Sequence, residues 1–238
     1  MSAAVTLPDG RRLTCADELD GVLRAALCVV TGVAVGPGEP VRPALEALAS
    51  RLREQWAGLP PSRIPPLQEA RRLYHAVGIQ PTRIRPSSEA LLRRILKGQG
   101  LYTISNVVDA CNLASLEFLL PIGLYDLARV AGDIELRIGR EGEEYPGIRK
   151  GPVHLVGRLG LFDREGPFGS PTSDSARTAV GPGTRDLLGV VMATADYPAD
   201  RLRSHAARLG ELLTIHAGGK VVLVAVLDDT APAADGEG

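Results

Sequence analysis

Lysine is nearly absent from this chain: of its 27 basic residues only Lys97, Lys150 and Lys220 are lysine, and the rest are arginine. GC-rich coding is the simplest source of that bias. The basic residues are answered by 28 acidic ones, a net charge of −1 and a pI near 6.4. That balance argues against a uniformly cationic nucleic-acid binder but leaves room for a local basic patch. The three cysteines (Cys15, Cys28, Cys111) are odd in number and widely spaced, which excludes a disulfide framework. The four histidines form no zinc spacing with them, so neither a metal nor another cofactor is expected. Aromatic residues make up 4%, too few for the aromatic strand motif that reads single-stranded RNA. No apolar run approaches the roughly 18–20 residues that span a bilayer, and residues 1–12 lack a signal-peptide layout. A cytoplasmic protein with no membrane partner is the expectation. No Walker loop and no G-x-S-x-G elbow occurs.

What is present reads as an α+β chain long enough for one core with a smaller helical lobe. Residues 27–35 (LCVVTGVAV) read as a buried strand ending at Gly36-Pro37-Gly38. Leu45, Leu48, Leu52, Trp56 and Leu59 predict an amphipathic helix stopped by Pro60-Pro61, with Trp56 on its apolar stripe. Leu67, Ala70, Leu73, Tyr74 and Val77 predict a second helix after Pro66. A third begins at 85–89 (RPSSE), with Ser87 as N-cap, Glu89 in the first turn, and Gly98 and Gly100 as the stop. Strands are expected at 134–138, 153–156, 159–162, 187–194 and 221–227, with a helix through Leu202, Ala206, Leu209, Leu212 and Leu213. The organisation expected is a strand and helical lobe over 1–100, a core over 101–228, and a disordered tail over 229–238.

Three constellations stand out. Asp109 and Asn112 are polar within the apolar run 106–126 (NVVDACNLASLEFLLPIGLYD); they either cap a helix starting near 112 or face a ligand. Residues 166–178 (GPFGSPTSDSART) combine glycines, hydroxyls, Asp174 and Arg177 in a long stretch without apolar periodicity. It reads either as a plain connection or as a binding loop whose backbone N–H groups approach a ligand. Between 63 and 97, Arg63, Arg71, Arg72, Arg83, Arg85, Arg93, Arg94 and Lys97 face only Glu69 and Glu89. That excess either tracks a phosphate backbone or is a solvated helix face. Cys111 and Ser115 have no histidine base nearby in sequence, and the acidic turn at Glu141, Glu143 and Glu144 reads as a solvated hairpin tip.

Taken in order, 106–145, the glycine-rich stretch and the buried strand at Val190 resemble the B3/B4 domain of the phenylalanyl-tRNA synthetase β chain. The head segment RPSSEALLRRILKG and the stretch 166–178 look like those of stand-alone members, and the resemblance runs from about 66 to 197. It implies a three-layer α+β unit with an unusual β-sandwich, and an activity of the family, hydrolysis of tyrosine mischarged onto tRNA. By position, the family's polar pair falls on Cys111 and Asn112, its histidine on Gly123 and its tyrosine-reading glutamate near Met192. Asparagine is thus kept while the other three differ, which speaks against tyrosine specificity. The resemblance implies a substrate site drawn from Asp109, Asn112, Gly166, Gly169, Ser170, Thr172, Asp174 and Arg177. It implies tRNA contacts from Arg85, Arg93, Arg94 and Lys97. The expected function is a tRNA-binding, editing-like domain that deacylates mischarged aminoacyl-tRNA in trans. The alternative is a non-catalytic module binding an amino acid, a metabolite or a tRNA end.

Overall fold

The computed structural model describes residues 3–148 and 151–227; the expected tail lies outside them. The chain order is β1 (Ala4–Thr6), β2 (Arg12–Cys15), β3 (Leu23–Thr31), α1 (Arg42–Gln55), α2 (Pro65–Ala76), α3 (Ser87–Leu96) and α4 (Asn106–Phe118). There follow β4 (Ile122–Asp126), β5 (Ile134–Ile138), β6 (Glu144–Pro146), β7 (Pro152–His154), β8 (Leu159–Asp163), β9 (Gly166–Ser170) and β10 (Ser173–Asp174). The chain then forms β11 (Leu187–Thr194), α5 (Ala199–Ala217) and β12 (Lys220–Leu227).

These elements stack in three layers. A four-stranded antiparallel sheet, ordered β12-β3-β11-β4, lies in the middle. Side chains of successive strand residues point to opposite faces, and here both faces are covered. On β3, Ala26, Cys28 and Val30 join a core with Leu48, Leu92, Val107, Ala114 and Leu209 from the helices. Ala25, Leu27 and Val29 join a second core with Leu13, Leu136, Leu161 and Phe168 from a six-stranded sheet, ordered β1-β2-β5-β8-β9-β10. Burial on both faces is why β3 and β11 read as unbroken apolar runs. The segment 97–105 separates α3 from α4, and both cores take side chains from either side of it.

Three sequence expectations need correction. The helix expected near residue 112 starts at Asn106, capped by Ser105, whose Oγ accepts from Val108 N at 3.2 Å. Ser87 lies inside α3 and makes no capping bond; Pro86 precedes the helix. Most of the glycine-rich stretch is strand, not loop: fully buried Phe168 anchors β9 in the second core and β10 pairs back on it. The glycines and proline around Phe168 hid its alternation.

Candidate functional site

One stripe of α4 (Val108, Cys111, Asn112 and Ser115, at helical i, i+3, i+4, i+7 spacing) faces a cavity of about 140 Å³. Its other walls come from Ile122 and Leu124 of β4, Asp174 of β10, Val180, Ser87 at the start of α3, and Ile148. A cavity of roughly 150 Å³ takes a benzene ring, so this one suits a small organic group. β4 reaches the cavity because α4 ends abruptly at Leu119, in left-handed backbone (φ 56°), and the chain turns directly into the sheet.

The polar wall is chemically unspent. Ser115 Oγ is buried without a hydrogen-bond partner. Among the described residues, neither the Asn112 amide nor the Asp174 carboxylate makes a hydrogen bond or ion pair. Burial pushes the Asp174 carboxyl up to about 6, so it is ionised at neutral pH with no cation among the described residues to answer it. The Cys111 thiol is pushed far up, by burial and then by the Asp174 charge, so it stays protonated at neutral pH. No histidine lines the cavity among the described residues.

Tyr125 lies behind this wall, fully buried, with its hydroxyl unpartnered. Burial first, and then the Asp174 charge, holds that hydroxyl well above its ordinary pKa. Its ring meets Phe168 edge-on at 5.1 Å. The hydroxyl fits only because two glycines flank it: a Cβ on Gly123 or on Gly169 would come within 2.3 Å of Tyr125 Oη. Gly123 therefore leaves room for a phenol from the same strand.

The remaining candidates are placed elsewhere or already engaged. Asp109 accepts from Ile104 N at 3.1 Å and is raised by burial. Gly166, at φ 113°, forms the β8–β9 turn. Ser170 Oγ accepts from Tyr145 Oη at 2.8 Å and lies 2.9 Å from Thr172 Oγ1. Arg177 grips buried Asp163 through two bonds of 2.8 and 2.9 Å. Met192 is fully buried in the second core.

Folding neutralises part of the basic stretch. Fully buried Glu89 accepts from Arg71 Nε and Nη2, each at 2.8 Å, and from Arg93 Nε at 2.8 Å. Arg72 is held by Glu69 and Asp196. Arg94 covers the Tyr102 ring at 4.2 Å, while Arg85 and Lys97 are exposed. The helical spacing of Val108, Cys111 and Ser115 around Asn112 was a usable signal for the cavity wall; nothing in sequence marked Tyr125, and Ser87 read only as a helix cap.

No described helix is long and apolar enough to cross a membrane, and no cluster of described residues could hold a metal ion. The chain is 44% identical over 71 residues to the phenylalanine–tRNA ligase beta subunit of Anaeromyxobacter dehalogenans (strain 2CP-C), covering 29% of this chain and 9% of that protein. It is 34% identical over 77 residues to the corresponding subunit of Paramagnetospirillum magneticum (strain ATCC 700264 / AMB-1), covering 32% of this chain and 10% of the relative. The matched segments thus span about a tenth of those relatives' length. An N-terminal fragment of the phenylalanyl-tRNA synthetase beta subunit from Pyrococcus horikoshii superposes with a TM-score of 0.40 and 16% identity, over 53% of this chain and 47% of that one. The B3/4 domain family model matches residues 69–208, more than half of the chain and including α4, Asp174 and β11, and the chain belongs to that family.

Proposed function

We propose that this chain is a tRNA-binding, editing-like domain that receives the aminoacyl end of a mischarged tRNA in the Asn112–Asp174 cavity and deacylates it in trans. The observation that carries this reading is the convergence of Asn112, from α4, and Asp174, from β10, on one cavity where no described residue bonds their polar side-chain atoms. Kinship with a domain of phenylalanine–tRNA ligase beta subunits supplies the substrate class. Ionised above about pH 6, Asp174 takes a proton from a water that attacks the ester carbonyl carbon. The Asn112 amide N–H donates to the developing oxyanion. The bond from carbonyl carbon to ribose oxygen then breaks, the ribose oxygen takes the proton, and free amino acid leaves.

The test is incubation with a panel of misacylated tRNAs. Release of amino acid from at least one member, lost in Asp174→Asn, is the expected result; no release above a boiled control refutes it.

A second reading, binding of an amino acid, metabolite or tRNA end without turnover, is favoured by Gly123 and Met192. Neither brings a polar side-chain group where the family's histidine and glutamate fall. Thermal stabilisation by a free amino acid, lost in Asn112→Ala and unaccompanied by ester turnover, would select it. Both readings place the protein with tRNA or its amino acid in the cytoplasm.

A further inference from the structure

Six residues past the end of α3, whose first residue lines the cavity, lies an aromatic that belongs to neither core. Tyr102 is 68% exposed, an unusual state for a large apolar ring. The Arg94 guanidinium lies over it, 4.2 Å from the ring centroid. Arg94 is itself fixed, donating from Nη2 to Gly100 O at 2.9 Å. A ring with one face held by a guanidinium and most of its area in water offers its other face for stacking. We infer that Tyr102, held under Arg94, is a stacking platform for the 3′-terminal base of a bound RNA whose ribose end enters the Asn112–Asp174 cavity.

Three further observations support this assignment. Arg94 follows Ser87, which lines the cavity, by seven residues on α3. That spacing returns to the same helix face after a rise of about 10 Å, within the reach of one terminal nucleoside. Folding leaves cations unanswered at both ends of α3: Arg85 before its start and Lys97 after its end are exposed, and among the described residues neither is ion-paired, whereas Arg93 is engaged with Glu89. They suit the phosphates that precede a terminal base. Exposed Ile104 and Ile148 add apolar surface, and Ile148 reaches the cavity wall. A protein partner would use that apolar strip too, but the flanking positive charge favours RNA. Base–aromatic stacking tolerates any base because each has a π-face.

The inference rests on the proposed RNA-binding function, and the experiment separates the two. An RNA minihelix with a single-stranded CCA end, its terminal adenine replaced by 2-aminopurine, is titrated with the full-length protein. Stacking on Tyr102 quenches the fluorophore. Tyr102→Ala should weaken binding about 5- to 100-fold and abolish quenching, while Tyr102→Phe keeps both. The ratio between wild type and Tyr102→Ala should persist as salt rises, although both affinities fall. Wild-type binding that Tyr102→Ala leaves unchanged in affinity and quenching overturns the platform alone. Absence of any wild-type binding overturns the RNA reading with it. A Tyr102→Ala protein that changes oligomeric state but binds RNA normally assigns the surface to a protein contact and also overturns the platform.

Discussion

Replacing Asp174 by asparagine removes a charge while keeping nearly the same shape, and the cavity makes its effect on stability calculable. In the folded chain this carboxyl holds its proton up to about pH 6, against an ordinary value of 3.8. Between those two values the folded state binds more protons than the unfolded one, so stability falls as pH rises through this window and stays lower above it. At about 1.36 kcal/mol per tenfold change in proton affinity, the rise is worth about 3 kcal/mol. Asp174 is only partly shielded, and solvent in the cavity reduces that to about 1–2 kcal/mol. Asp174→Asn should therefore be more stable than wild type by about 1–2 kcal/mol at pH 7.5, a rise in Tm of about 2–8 °C for a chain of this size. The gap should close by pH 4, where wild-type Asp174 is protonated. Urea unfolding of both proteins at pH 4 and pH 7.5 measures it. A variant equal to or weaker than wild type at pH 7.5, or a gap unchanged at pH 4, refutes the placement of an unanswered carboxylate in the cavity. The same substitution should remove deacylation, so that greater stability accompanies lost function.

Glu89→Ala should destabilise the fold by about 2–4 kcal/mol, below the range for fully buried pairs because Arg71 and Arg93 reach solvent; chemical denaturation checks it. Burial raises the Glu89 pKa, but the bonds from Arg71 and Arg93 outweigh it and hold the carboxyl below 4.5. Its contribution is therefore present at neutral pH and lost as pH falls through that depressed value, and wild type and variant should converge in acid. Gly169→Ala drives a Cβ to 2.3 Å from Tyr125 Oη and should cost about 1–3 kcal/mol by overpacking. Tyr125→Phe removes an unpartnered hydroxyl and should be neutral or stabilising by about 1 kcal/mol in urea unfolding; a clear loss would reveal a bond to that hydroxyl. Asn112→Ala should leave the unfolding free energy within about ±0.5 kcal/mol of wild type while abolishing ester turnover or any ligand-induced thermal shift.

Much of the fold was legible because it rests on local pattern. Strict alternation placed β5 at 134–138, and an apolar run marked β11 at 187–194; both match the structure end to end. The order of motifs in 106–197 identified the family. Short β1 and β2 escaped notice because strands of three and four residues carry too little pattern. Strand β9 escaped because Phe168 is the lone large apolar residue in GPFGS.

The site was only half visible. Sequence singled out both Asn112 and Asp174, by polarity inside apolar or glycine-rich surroundings, but it could not say that they share a wall while Asp109 and Arg177 do not. That depends on which backbone amides and carboxylates come close: Ile104 N satisfies Asp109 and Asp163 satisfies Arg177, while no described residue meets Asp174. The basic stretch shows the same limit, since a charge count cannot see Glu89 folding inward between Arg71 and Arg93. Periodicity and motif order are properties of neighbours along the chain: periodicity placed elements such as β5 and β11, and the resemblance carried by motif order implied the layers and the ancestry of this protein. Which polar groups remain unspent is a property of neighbours in space, and only the tertiary structure decided it.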